Sequence, residues 1–133
     1  MFAWRSTYSV GVPNIDAQHK HLIATISQLH QAMMQGKAKP VLTGILTDLV
    51  HHTEVHFADE ERLMRQKNYP RALPHVEEHR RLTTMARKLQ HDYAAGRVGM
   101  TVETLDFLKT WLSDHIMTMD QDYAVFYSAQ ATQ

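Results

Sequence analysis

Seven side chains of metal-ligating type recur along this chain at spacings a helix can use. They are His19, the pair His56 and Glu60, the pair His75 and His79, and His115 with Asp120 five residues on. Residues four apart share a helix face, so each of the two inner pairs points one way. All but Asp120 fall where an amphipathic helix presents an apolar core residue. An imidazole or carboxylate left unpaired in such a core is costly, and clustered histidine points to metal. Imidazole with carboxylate suits divalent iron, zinc, manganese or copper. Seven candidates are too many for the four ligands of one closed tetrahedral zinc site, which argues for two ions.

Asp120 is the exception. Five residues span about 500° of an ideal α-helix, some 140° away from His115. A π turn or a helix terminus would aim both at one centre. On the other reading Asp120 is a solvated acid near a helix end, with Asp122 beside it. Spacing leaves both open.

The elements that must position these residues read as four amphipathic helices, at about 14–35, 40–67, 71–95 and 101–119, with no convincing strand. The first carries Ile15, His19, Leu22, Ile26, Leu29 and Met33 on one stripe. Asn14 or Asp16 is expected to cap it and Gly36 to end it. The second carries Leu42, Leu46, Leu49, Thr53, His56, Glu60 and Leu63, and Pro40 suits its first turn. The third follows Asn68-Tyr69-Pro70 and carries His75, His79, Leu82, Ala86, Leu89 and Tyr93; Gly96 and Gly99 punctuate the turn after it. The fourth starts at a Thr101 cap and carries Leu105, Leu108, Leu112, His115 and Met119, leaving Gln130 to Gln133 as a short tail. Short links between helices of this length imply an all-α, antiparallel up-down-up-down four-helix bundle. An arm at 1–13, with Trp4 and Tyr8, is expected to pack along it. Antiparallel order brings the start of helix one, the end of two, the start of three and the end of four to one level, so the candidate ligands gather at one end of the core.

With 133 residues the chain suits one domain, 1–133. Its 14 basic and 14 acidic residues give no basic stripe, so nucleic acid is not an expected partner. Cysteine is absent, which removes disulfides, thiolate metal sites and iron–sulfur clusters. No apolar run reaches the length of a membrane span. The first residues lack a basic segment followed by an apolar one, so no signal peptide is read and the expected location is cytoplasmic.

The segments Asp16-Ala-Gln-His19-Lys, His56-Phe-Ala-Asp-Glu60-Glu, His75-Val-Glu-Glu-His79 and Trp111-Leu-Ser-Asp-His115-Ile-Met-Thr-Met-Asp120 together resemble the hemerythrins, in particular the bacterial single-domain kind. The likeness covers essentially the whole chain, and the combined His, HxxxE, HxxxH and HxxxxD pattern is far more specific than any one part. The resemblance implies a non-haem di-iron site of two iron ions (Fe2+/Fe3+) with an oxo or hydroxo bridge. His75, His79 and His115 would bind one iron, His19 and His56 the other, and Glu60 and Asp120 would bridge them. On that assignment, two six-coordinate irons keep a single open position, on the iron held by His19 and His56. There the family binds O2 reversibly, for carriage, storage or local supply, and it is not an enzyme.

Carboxylate-rich di-iron bundles use Glu-x-x-His pairs, and this chain has none. Five neutral imidazoles leave a reduced centre less electron-rich, which disfavours O–O cleavage and lets oxygen leave again. Leu22, Trp111, Leu112 and Ile116 lie within a turn of ligands and are the candidate wall of an apolar O2 pocket, or ordinary core. Each ligating histidine should also donate its second N–H to a carboxylate or carbonyl; Asp16, Asp59 and Glu61 are near in sequence, the latter two read as solvated. His21, His30, His51, His52 and His91 read as surface residues, with His52 one turn before His56. A stand-alone oxygen or redox sensor, acting on an unidentified oxygen-consuming or signalling partner, is the second reading. His75-Val-Glu-Glu-His79 also matches the H-x-x-E-H zinc-hydrolase signature, with Glu78 as base, but that reading leaves His19, His56, Glu60 and His115 without a role.

Overall fold

The computed structural model describes residues 4–131, with the side chains of 117, 118, 128, 130 and 131 outside the description. Its helices are α1 (Pro13–Met34), α2 (Lys39–Gln66), α3 (Ala72–Ala94), α4 (Val102–His115) and α5 (Gln121–Ala131), and no strand occurs among the described residues. A single π turn, Ile116–Asp120, joins α4 to α5. α1 packs on α2 and on α4, and α2 packs on α3, which makes an antiparallel helical bundle.

The starts and stops have local causes. Pro13 opens α1 with its φ already helical and with no N–H to leave unpaired. Neither Asn14 nor Asp16 caps that helix, contrary to the sequence expectation. The Asp16 carboxylate turns back instead, accepting from the Val10 N–H at 2.8 Å and from the Ser9 hydroxyl. This contact ties the arm to α1. The described part of the arm forms a short 3₁₀ turn, Ser6–Tyr8, buries Val10, and lays Trp4 and Tyr8 on the main core; residues 1–3 lie outside the described ones. Three helices end alike. Gly36, Asn68 and Gly96 all take positive φ, and the next residue's N–H reaches back to a carbonyl five residues earlier, as in Lys37 to Ala32 at 3.0 Å. Thr101 caps α4, accepting from the Thr104 N–H at 3.2 Å.

Two apolar clusters flank the level at which the candidate ligands meet. The larger contains Ile26, Leu29, Leu46, Leu49, Leu105 and Leu108 in the body of the bundle. The smaller contains Met64, Tyr69 and Tyr123 at the far side of that level. Each fully buried leucine contributes about 1.5–3 kcal/mol, so hydrophobic layers on both sides hold the polar level in register.

The fourth helix differs from its expected extent. Its α-helical part stops at His115 rather than Met119, and after the π turn the chain is helical again to Ala131. Gln130 and Ala131 therefore belong to α5 rather than to a tail, and 132–133 lie outside the described residues. The cause is the π turn: its extra residue moves the apolar stripe from Leu112 and His115 onto Asp120 and Tyr123, both buried.

Candidate metal centre

All seven candidates meet at one level, and none is more than 3% exposed. α1 brings His19, α2 brings His56 and Glu60, α3 brings His75 and His79, and α4 with the π turn brings His115 and Asp120. A turn closed by i→i+5 bonds holds one more residue than an α turn, so Asp120 returns over His115. Asp120 Oδ1 lies 3.1 Å from His115 Nε2. The π-turn alternative therefore describes Asp120, and the solvated-acid alternative does not.

The two carboxylates divide the histidines into the same three and two. Glu60 Oε1 lies 2.7 Å from His75 Nε2, 3.0 Å from His79 Nε2 and 4.0 Å from His115 Nε2. Its other oxygen, Oε2, faces His56 at 3.3 Å and His19 at 3.8 Å. Asp120 repeats the division, with Oδ1 2.9 Å from His75 and Oδ2 3.1 Å from His19. Two donor groups result: Glu60, His75, His79, His115 and Asp120 in one, and His19, His56, Glu60 and Asp120 in the other.

The spacing fits transition-metal ions. Imidazole and carboxylate bonds of about 2.1 Å put neighbouring donors on one ion about 3 Å apart. His19 Nε2 and His56 Nε2 are 2.9 Å apart, and His79 Nε2 and His115 Nε2 are 3.2 Å apart. Two imidazole nitrogens at such a distance share at most one proton between them, so hydrogen bonding alone does not use this convergence. Among the described residues, no well-formed hydrogen bond reaches the buried Glu60 Oε2 or Asp120 Oδ2, which suits oxygens that ligate a cation.

Electrostatics favour ionised carboxylates. Burial pushes the Glu60 carboxyl up, but the hydrogen bonds from His56, His75 and His79 outweigh it and hold the pKa well below the usual range. Burial and the Glu60 charge raise Asp120, while His115 and His19 bring it down further than they raise it. Burial lowers His75, yet its bonds to Asp120 and Glu60 lift it to about 9. Burial lowers His56 more than Glu60 raises it.

Around this set lie partners that spacing did not reveal. His56 Nδ1 sits 2.7 Å from Gln18 Oε1, and Gln18 in turn donates to Asp59 at 2.8 Å. His79 Nδ1 sits 3.0 Å from Glu61 Oε2. Glu61 is thus a positioning partner with its side chain only 23% exposed, and Asp59 acts one residue further out; neither is simply solvated. Asp16 serves the arm. Among the described residues, the Nδ1 atoms of His19, His75 and His115 meet no such protein partner. Phe57 stacks on His79 with ring centroids 3.9 Å apart and also reaches the His115 ring. The apolar, stripe-adjacent position of Phe57 was the available signal for it; nothing in the sequence marked Gln18.

Leu22, Leu112 and Ile116 are buried in the main core cluster, and Trp111 joins them with its indole N–H donating to the Leu82 carbonyl at 3.2 Å. Trp111 also lines an open groove of about 490 Å3 beside His115, with Leu82, Met85 and Phe107. Glu78, the base of the hydrolase reading, is engaged by Arg81 at the surface, at 3.0 Å from Nε. His21 and His51 are exposed, and His30 lies 3.3 Å from Lys109 Nζ.

A helical bundle whose core joins two donor groups through two shared carboxylates defines a class of protein built to hold a pair of metal ions. Residues 10–126 match the family described as Hemerythrin HHE cation binding domain, and the chain belongs to that family. It is 30% identical to the bacteriohemerythrin of Stenotrophomonas maltophilia, over all of this chain and 86% of that protein. The bacteriohemerythrin of Pseudomonas aeruginosa is 32% identical over 90% of this chain and 77% of its own. The myohemerythrin of Sipunculus nudus is 29% identical, over 92% and 90%. A crystal structure of wild-type hemerythrin superposes with a TM-score of 0.86 at 27% identity, covering 93% of this chain and 95% of that one. Membership implies non-haem di-iron oxygen binding, and hemerythrins are oxygen-binding proteins rather than enzymes. No helix among the described residues is long and apolar enough to cross a membrane.

Proposed function

We propose that this chain binds O2 reversibly at a di-iron centre, for carriage, storage or local supply of oxygen in the cytoplasm. His75, His79 and His115 would hold one iron, His19 and His56 the other, and Glu60 and Asp120 would be ligands to both. The observation that carries this reading is the matched division of both carboxylates: each turns one oxygen to the three-histidine side and the other to the two-histidine side. Two iron ions, when bound, supply the electrons and the open position for reversible O2 uptake.

The protein's own part is to hold and shield. Gln18 fixes the ring of His56, and Glu61 fixes that of His79, through their Nδ1 atoms. The unequal histidine count leaves the His19–His56 side with fewer donors, which is where a small ligand finds room. Leu22, Leu112 and Ile116 keep the surroundings apolar and so exclude water and protons that promote oxidation of the site.

Reduced, iron-loaded protein exposed to O2 tests the reading. Visible charge-transfer absorption should appear on oxygenation and be absent before it. Protein carrying two irons per chain that gives no spectral change under O2 refutes it, as does a single zinc with hydrolytic activity.

A further inference from the structure

Two histidines outside the buried centre repeat the ring separation of its histidine pairs. His21 on α1 and His52 on α2 stand with ring centroids 4.4 Å apart and planes at 84°. The buried pair from the same two helices, His19 and His56, stands at 4.5 Å and 68°. His75 and His79 stand at 4.6 Å and 69°. The surface pair thus has the separation and edge-to-face attitude of rings that converge on common ions in the proposed centre. His21 is exposed and His52 half-buried, so a hydrated ion reaches them. His51, also exposed, lies with its ring 5.6 Å from that of His52 and adds a further imidazole at the rim.

Position gives the pair a direction. His21 and His52 line an open pocket of about 280 Å3 together with Ala17, Gln18, Val55 and His56. His52 is one turn before His56 and shares its helix face. One pocket is therefore lined both by the surface histidine pair and by His56 of the buried centre, along with Gln18, which holds the His56 ring.

We propose that His21 and His52 form an accessory site for a divalent transition-metal ion, which captures Fe2+ at the surface before it passes to the buried centre. Imidazole selects Fe2+, Co2+, Ni2+, Cu2+ or Zn2+ over Mg2+ and Ca2+, which prefer oxygen. Two imidazoles without a carboxylate ligand are fewer donors than either group of the buried centre offers, so they hold an ion weakly enough to release it. The capture role rests on the di-iron reading; the existence of the surface site does not.

Calorimetric titration of the iron-loaded protein with Co2+ reads the site. Wild type should bind an additional ion per chain, His21→Ala and His52→Ala should each lose it, and His91→Ala, an exposed histidine on α3, should keep it. In a second arm, Fe2+ is added anaerobically to the metal-depleted full chain and uptake is followed in time. The two variants should load several-fold more slowly than wild type and reach the same final iron content. Absence of the additional ion in wild type, or its retention in both variants, overturns the site and leaves the rings as a plain aromatic contact. Loss of the ion with wild-type loading rates overturns the capture role. A wild-type chain that never reaches two irons is instead a failure of the di-iron reading, and the Co2+ arm still decides the surface site.

Discussion

Glu60→Ala is the most informative single change. Glu60 is the side chain that both donor groups approach from α2, with Oε1 2.7 and 3.0 Å from His75 and His79 and Oε2 3.3 Å from His56. The substitution removes one anionic oxygen from each group and leaves Asp120 as the sole shared carboxylate. Loss of a residue that merely orients a ligand lowers metal affinity about 10–100-fold. Loss of a donor common to both ions should exceed that, so a decrease of about 100-fold or more is expected, or about 3 kcal/mol at 1.4 kcal/mol per tenfold. The assay is iron content after anaerobic loading with Fe2+ and gel filtration, with circular dichroism to confirm that the helices persist. Wild type should retain two irons per chain and the variant well under one. Glu60→Gln, which keeps the shape and removes the charge, should fall between them. A folded Glu60→Ala variant that still retains two irons refutes the bridging role.

Other expectations follow from the same geometry. Gln18→Ala frees the His56 ring and should weaken iron binding by about 10–100-fold. The loss should fall on one iron of the pair, so titration that loses both irons equally counts against it. Ile116→Ala opens space in the fully buried wall beside His115; it should cost about 2–5 kcal/mol in chemical denaturation and shorten the lifetime of the oxygenated spectrum. Thr101→Ala removes the cap of α4 and should cost about 1 kcal/mol without altering iron content.

Much of this arrangement was legible in the sequence because helical spacing is strict. His19, His56, Glu60, His75, His79 and His115 each replace an apolar residue on a stripe, and the short links fix which helix ends meet. Asp120 was not legible from spacing, since its aim depends on a π turn that no local residue announces. The same turn shifted the apolar stripe, so the helix was expected to end near Met119 and only Gln130 to Gln133 was read as a tail. Gln18 and Glu61 were hidden for a different reason. Polar residues beside a ligand are equally at home in solvent, and only the packed rotamers bring their oxygens within 2.7 and 3.0 Å of a ring nitrogen. Asp16 shows the opposite error, a residue suited to capping a helix that secures the arm instead.

The proposed function is reversible oxygen binding by a pair of irons with one open position, on the iron that His19 and His56 would hold. Its most direct test is a gas titration of reduced, iron-quantified protein, cycled between O2 and argon while absorption is recorded. Uptake of one O2 per two irons is expected, with charge-transfer absorption that disappears under argon and returns with the same amplitude under O2. Oxygen consumed without return of the colourless form, or uptake that tracks each iron singly, contradicts it.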